Sequence, residues 1–393
     1  MDNETDLSGF RDDIEYFRHA VASVVGPVFT EGNSVDVLRN GREIFPSMLE
    51  AIRNARTSID FVTFVYWTGD VARDFAAAFA ERARAGVRVR IILDGFGALP
   101  MDRDLIHHLE AGGAQVEIFR PVVRWKFWES DHRTHRKILI CDDTVGFTGG
   151  VGIASEWQGD ARSPDEWRDT HFRITGPAVR GLQAAFLADW RDTGHPIDAR
   201  DLATEASKPS GDMLVGVVDG SAHIGFNPAE RLFEGLLAAA TRSILLQTPY
   251  FNPSDGLIHT MVEARRRGVE IDVILPGPYI DKRVSSVVAA DRSSELLKHG
   301  VRLWEYQPTM MHVKSVVVDG IASIVGSVNF NRRSVEKDEE VAIVALDRGL
   351  ASTLTDHFLV DVRECRSVTE SKQLVGWATR LLAPMLRLAE REF

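Results

Sequence analysis

The chain is written twice. His135, Lys137 and Asp142 lead to the glycine pair Gly149 and Gly150; 177 residues later His312, Lys314 and Asp319 lead to Gly326 at the same spacing. Independent placement of 12 histidines, 8 lysines and 32 aspartates in 393 residues gives about 0.02 copies of H-x-K-x4-D. Two copies, each with a glycine seven residues past the aspartate, therefore mark a duplicated unit rather than coincidence.

The flanking text repeats in the same order. In the first half "EIFPSMLEAIRNARTSIDFVTFVYW" reads as a helix and a β-branched strand, and "DVARDFAAAFAERARAGVRVRIILDG" as an amphipathic helix, a glycine break and a strand. In the second half "AERLFEGLLAAATRSILLQTPYF" and "DGLIHTMVEARRRGVEIDVILPG" follow the same plan. Gly86 and Gly268 mark equivalent helix-to-strand turns, and the apolar runs 89–93 and 271–275 read as buried parallel strands. Residues 194–212, polar and with two prolines, read as a linker. The expected fold class is α/β: two pseudo-symmetric units, residues 30–193 and 213–365, each a mixed β-sheet flanked by helices. They are expected to pack as a pseudo-dimer, with a helical tail over residues 366–393.

The motifs have a chemistry of their own. "HRKILI" and "HVKSVVV" read as strands, in which residues i and i+2 share a face, so each histidine points with its lysine. The glycine-rich ends allow close backbone approach to an anion, and Ser327 and Asn329 add neutral donors. If the halves meet face to face, two imidazoles and two ammonium groups converge. The lysines would neutralise a tetrahedral anion, their attraction growing as charge builds in the transition state. With a reference pKa of ~6.5, one histidine can attack and the other can protonate a leaving alkoxide. A phosphohistidine would split one difficult displacement into two easier ones. Phosphodiester exchange without a metal or cofactor is the expectation, and either histidine can be the nucleophile. "DHRTH" has the look of an H-x-x-H metal pair, but on a strand-like segment those positions face opposite sides. His171, in "WRDTHF", either lines the site with Asp169 as partner or is a strand histidine paired with a neighbouring carboxylate.

These motifs resemble the paired HKD motifs of the phospholipase D superfamily. The text around them ("TPYFNP", "YQPTMMHVKSVVVDG", "GSVNFNRRS", "EWRDTHFRITGPAV", "ARAGVRVRIILDG") is similar to that of bacterial cardiolipin synthases, over residues 33–361. The resemblance implies one composite active site with His135 and His312 as the catalytic pair. It implies phosphate binding by Lys137, Lys314, Ser327 and Asn329, with Gly149, Gly150 and Gly326 beside them. Acidic residues after each motif, Glu156 and Glu340, would orient the histidines, and Asp142 and Asp319 would complete the catalytic motifs as structural or electrostatic support. The implied activity is phosphatidyl transfer from phosphatidylglycerol, through a phosphohistidine, to a lipid alcohol. Gly152 and Asp338 stand where the family usually carries asparagine, and Lys337 where an apolar residue is common; these departures bear on the acceptor. Alternatives are a hydrolase that uses water, a nuclease with the same groups, and a non-catalytic membrane-binding protein.

A net charge of −11 argues against a broad basic face for nucleic acid. Two cysteines, Cys141 and Cys365, make no disulfide framework. The early apolar run "AVASVVGPVF" is too short to span a bilayer and has the wrong flank for a signal peptide. The expectation is a cytoplasmic protein, peripheral to the inner face of the cell membrane. Residues 120–137 carry six Lys/Arg interleaved with Trp125, Phe127 and Trp128, a composition suited to an anionic membrane surface. The tail, with Leu381, Leu382, Met385 and Leu386 on one helical side and Arg380, Arg387 and Arg391 elsewhere, is a second candidate for membrane contact or docks on its own domain.

Overall fold

The duplication appears as a single sheet with a pseudo-two-fold axis at its middle. The structure, a computed structural model, describes residues 13–122, 132–202, 207–220 and 227–374. Trp125, Phe127, Trp128 and the tail beyond residue 374 lie outside the described residues.

The first half runs α1 (Asp13–Val25), β1 (Phe29–Arg39), α2 (Asn40–Asn54), β2 (Ser58–Thr63), α3 (Asp70–Arg84), β3 (Arg88–Asp94), α4 (Arg103–Ala111), β4 (Gln115–Phe119), β5 (Ile138–Cys141), β6 (Val145–Gly149), β7 (Thr170–Thr175) and α5 (Val179–Asp192). A short helix, α6 (Ala199–Leu202), precedes the second half. That half runs β8 (Met213–Gly220), α7 (Pro228–Ala239), β9 (Ser243–Gln247), α8 (Asp255–Arg266), β10 (Glu270–Pro276), α9 (Arg283–Lys298), β11 (Arg302–Tyr306), β12 (Ser315–Val318), β13 (Ala322–Gly326), α10 (Arg332–Glu336), β14 (Glu340–Leu346), α11 (Arg348–Arg363) and β15 (Cys365–Val368).

The strand order is β15-β11-β10-β9-β12-β13-β14-β8-β1-β7-β6-β5-β2-β3-β4. Counting outward from the β8–β1 pair, each strand of one half meets its repeat in the other, with β15 added at one edge. The runs read as parallel strands are so: β3 pairs parallel with β2 and β4, and β10 with β9 and β11. Helices α3 and α8 make the crossovers β2–β3 and β9–β10 that parallel pairing requires. Gly86 (φ +89°) and Gly268 (φ +92°) take the left-handed conformation that ends α3 and α8, where an L side chain would be strained.

The halves join edge to edge through antiparallel β1–β8 pairing, not only face to face. An isolated pair of edges would leave open hydrogen-bonding groups, and their mutual pairing removes them. Three apolar layers hold the sheet. Helices α2 to α4 cover the first half, with Phe75, Phe79 and Ile91 fully buried. Helices α7 and α8 cover the second, and α1 joins them through Phe17 and Val21, so the N-terminal helix packs on the far half. Helices α5 and α11 share one core with strands of both halves, including Val35, Phe172, Phe186, Val215, Val341 and Leu354.

Candidate active site

Each motif histidine is held by the opposite half of the molecule. Just before β5, Thr134 makes a parallel bridge with Glu339; His135 N donates to Glu339 O (2.8 Å) and Glu339 N to Arg133 O (2.8 Å). The second half does the same in mirror order: Met311 bridges Arg168, His312 N donates to Arg168 O (2.8 Å) and Arg168 N to Met310 O (2.9 Å). These crossed bridges carry the acids. Glu340 Oε1 lies 2.9 Å from His135 Nδ1, and Asp169 Oδ2 lies 2.7 Å from His312 Nδ1. A carboxylate on Nδ1 holds the proton there and leaves the Nε2 lone pair for chemistry.

The arginines beside these bridges are buried and paired. Arg136 contacts Asp189, Asp219 and Glu339. Arg168 meets Asp361 at 2.9 Å. Removing one member would strand a buried charge, so these networks lock the two halves in the register that the histidines need.

Both imidazoles open into one cavity of about 450 Å³. Lys137 and Asn329 line it too, and Phe64, Trp67, Trp157, Trp167 and Tyr250 form apolar walls. Phe64 packs edge-on against His135 (5.2 Å between centroids), Trp157 edge-on against His312 and Trp167 tilted against it (5.3 Å each). Each lysine folds back onto its own motif: Lys137 Nζ donates to His135 O (2.9 Å), and Lys314 Nζ to His312 O (3.0 Å). Lys314 Nζ also lies 3.2 and 3.3 Å from the two ring nitrogens of His312.

Burial and crowded positive charge set the titration. Burial, with Lys137 and Lys314 adding to it, holds His135 well below its usual range. Burial and Lys314 bring His312 down to about 4. Lys137 falls to about 7 by burial and by its neighbour Lys314, and Lys314 to about 8 by burial. Burial lifts Glu340 to about 7. Burial would lift Asp169 also, but His312, Lys314 and the Thr170 amide outweigh it and keep the carboxyl below the usual range. Positive charge crowds the site, which suits an anion.

Several expectations need correction. Glu156 does not orient a histidine. It sits partly exposed on the 3-10 turn Ser155–Trp157, its carboxylate accepting from Ser155 Oγ at 3.4 Å. Asp169 has that task, and register explains why: Gly149 pairs with His171 and Gly326 with Ala342, so Asp169 and Glu340, each two residues earlier, are the true equivalents. The first half spends six more residues between the glycine and the acid, and that insertion hid the match. It also supplies Trp157, whose Nε1 donates to Asp169 Oδ2 at 2.9 Å.

Asp142 and Asp319 are not at the chemistry. Each lies past the end of its strand remote from the histidine, in a left-handed turn (φ +53° and +54°). Asp142 accepts from the amides of Arg56, Thr57 and Ser58, and Asp319 from those of Thr241, Arg242 and Ser243. They staple the loops entering β2 and β9. Ser327 does not line the cavity: its hydroxyl donates to Glu340 and its oxygen accepts from Val341 N (3.0 Å). Asn329 lines the cavity, with Nδ2 donating to Ser334 Oγ at 3.1 Å. His171 satisfies neither reading. It is buried and pushed down to about 3 by burial, and neither ring nitrogen has a hydrogen-bond partner.

The glycines are required by the protein's own packing. A Cβ at Gly149 would stand 2.6 Å from His171 Nδ1, and one at Gly326 would stand 2.3 Å from Val341 O. At Gly150 it would stand 2.2 Å from Asp169 Oδ1. Gly150→Ala should therefore displace the carboxylate that orients His312. We expect kcat to fall by about a hundredfold, the scale of losing a positioned catalytic contact, with the circular dichroism spectrum unchanged. Full turnover in a folded Gly150→Ala would show that Asp169 is not needed there.

Comparison with known proteins agrees with this geometry. The family described as Cardiolipin synthase, PLD-like domain, matches residues 48–159 and 234–362, one stretch for each motif. The cardiolipin synthase of Geobacillus sp. (strain WCH70) is 30% identical over 362 residues, 89% of this chain and 72% of that protein. Cardiolipin synthase A of Pseudomonas fluorescens (strain SBW25) is 29% identical over 364 residues, 90% of this chain and 75% of that protein. Among solved structures, phosphatidylserine synthase of Haemophilus influenzae Rd KW20 superposes with a TM-score of 0.74 over 96% of this chain and 100% of its own, at 14% identity, a likeness of fold. With two HKD motifs brought to one cavity by a duplicated α/β fold, the chain belongs to the phospholipase D superfamily, in its family of cardiolipin synthase PLD-like domains.

Proposed function

We propose that this protein is a cardiolipin synthase-type phosphatidyltransferase that uses phosphatidylglycerol through a phosphohistidine. The observation that carries the reading is the crossed pairing of His135 with Glu340 and His312 with Asp169 at one apolar-walled cavity that also holds Lys137. Nε2 of one histidine attacks the phosphorus, and a P–N bond forms as the P–O bond to glycerol breaks. The other histidine, entering the step as an imidazolium with a proton on each ring nitrogen, gives its Nε2 proton to the leaving glycerol alkoxide and becomes neutral. The same imidazole then takes the proton of an acceptor lipid hydroxyl, whose oxygen attacks phosphorus and expels the first histidine. With a second phosphatidylglycerol as acceptor the products are cardiolipin and glycerol. Lys137 and Lys314 balance the charge on the phosphoryl oxygens, and Asn329 offers a further polar contact in the same cavity.

The relatives' names as cardiolipin synthases and the aromatic walls support a lipid over a nucleic acid. In this reading residues 30–193 and 213–365 are the two catalytic units, joined by residues 194–212. Among the described residues no helix is long and apolar enough to cross a membrane; the enzyme would meet the inner leaflet from the cytoplasm.

The lysines impose a pH dependence. Their pKa values of about 7 and 8 mean that the free enzyme sheds ammonium charge as pH rises through that window. For an anionic diester that needs both ammonium groups, kcat/KM should then fall about tenfold per unit between pH ~7 and ~8 and about a hundredfold per unit above pH ~8. A profile flat between pH ~6 and ~10 would contradict this assignment.

Product analysis tests the function. Purified protein, phosphatidylglycerol vesicles and EDTA should give cardiolipin and glycerol by mass spectrometry, and His312→Ala should give neither. Phosphatidic acid as the main product would make water the acceptor and overturn transferase in favour of hydrolase.

A further inference from the structure

The cavity has an apolar rim that its chemistry does not use. Among the described residues only three large hydrophobic side chains are more than half exposed: Phe96 (60%), Leu99 (62%) and Leu202 (65%). Two of the three stand together at the mouth of the cavity that holds both histidines.

Their loop, residues 95–100 after β3, is not a loose end. Phe96 N and Gly97 N donate to Asp94 Oδ1 (2.8 and 2.9 Å), and Gly95 N to Phe119 O (2.9 Å). Trp67 Nε1 donates to Gly97 O (2.8 Å). A Cβ at Gly97 would stand 2.2 Å from Phe64 O, so the loop lies against the residue that packs on His135. The same carboxylate that ties the loop accepts, through Oδ2, from Thr134 N (3.1 Å), next to His135. Tight backbone anchoring holds two apolar side chains out in water, an arrangement that costs free energy unless something apolar covers them.

The repeat of this loop in the second half follows β10. It carries Tyr279, 43% exposed, and its Asp281 and Lys282 line the same cavity. Arg333 lines it as well. Exposed apolar tips thus neighbour cations at the mouth of a phosphate-exchanging site, the pattern that matches acyl chains beside anionic headgroups.

The geometry points to residues 95–100 as a rigid membrane prong: Phe96 and Leu99 enter the acyl layer of an anionic bilayer and seat the cavity mouth over a phospholipid headgroup. This rests on the lipid reading of the site and locates its membrane contact on the described loop, distinct from residues 120–137 and the tail. The prong spares the lipid from leaving the bilayer, since only the headgroup need reach the histidines.

The test is co-sedimentation of the full chain with vesicles of equal phosphatidylglycerol and phosphatidylcholine. The double variant F96D/L99D should partition at least about tenfold more weakly than wild type, the scale of losing one or two buried apolar side chains, with its thermal melt unchanged. Leu359→Asp, on another exposed apolar residue that does not line the cavity, should sediment as wild type does. The proposal is overturned if F96D/L99D sediments normally or if Leu359→Asp loses as much. It is also overturned if wild type is a dimer that F96D/L99D makes monomeric, since a second copy then covers the patch. Wild type that binds vesicles through the prong but turns over no phosphatidylglycerol would uphold the surface and sink the transferase reading.

Discussion

His135→Ala and His312→Ala should each stop transfer, but not to the same degree. The two imidazoles face one cavity with near-equivalent backbone anchoring, yet in the proposed mechanism one forms the P–N bond and the other only moves a proton. Loss of the nucleophile removes the covalent route altogether, and we expect kcat to fall by at least about ten-thousandfold. Loss of the general acid costs about a hundred- to ten-thousandfold, because an alkoxide must depart without its proton. The distinction becomes measurable with a substrate whose leaving group needs no proton, such as a p-nitrophenyl phosphodiester. The acid variant should regain most of its activity on that substrate, and the nucleophile variant should not. The two carboxylates differ in the same way: Asp169 lies below the usual range, whereas burial lifts Glu340 to about 7. The pairs are therefore not interchangeable, and the leaving-group experiment assigns their roles. Equal rescue of both variants would rule out a single covalent nucleophile.

The second large effect has opposite signs for activity and stability. Lys137→Met and Lys314→Met should each lower kcat/KM on phosphatidylglycerol by about a thousandfold, the scale of losing a preorganised charge on the phosphoryl oxygens. Both should also melt higher than wild type. The reason lies in the proton balance. Each folded-state pKa, about 7 and about 8, is below the unfolded value near 10.5, so the folded protein binds these protons less tightly than the unfolded chain does. The penalty is fully present below the folded pKa and fades as pH rises toward the unfolded one. At pH ~7 the buried ammonium groups destabilise the fold, and Met, of similar length and uncharged, relieves that strain by an amount on the order of 2 kcal/mol. Wild type should accordingly gain stability between pH ~7 and ~10, and the Met variants should gain less. Variants that lose both activity and melting temperature would mean that the lysines are structural and not held for substrate.

The backbone plan was legible before any coordinates because it depends on short-range periodicity. Apolar runs after Gly86 and Gly268 can only be buried strands of similar length, and the repeat of helix, turn and strand makes a duplicated α/β unit the simple solution. The reactive side chains were legible for a similar reason. A histidine and a lysine two apart on a strand share a face whatever else the protein does. The aspartates that close the motifs were legible as support but not as remote from the chemistry, since their spacing says nothing of direction. Asp142 and Asp319 turn away into left-handed corners and bind the amides of the preceding loops. The glycines were read as room for an anion, yet at Gly150 and Gly326 the space is filled by Asp169 and by the Val341 carbonyl.

The amino-acid sequence by itself determined the duplication, the strand and helix order, and which imidazole shares a strand face with which ammonium group, because each is a matter of neighbours a few residues apart. Only the tertiary structure decided who partners whom. His135 meets Glu340 across 205 residues and His312 meets Asp169 across 143. Those contacts come from bridges between the halves and from strand register, which puts the orienting acid at Asp169, 20 residues past Gly149 against 14 from Gly326 to Glu340, and not at the expected Glu156. Distance along a chain carries no information about such pairings; packing of two sheet edges and a shared core does.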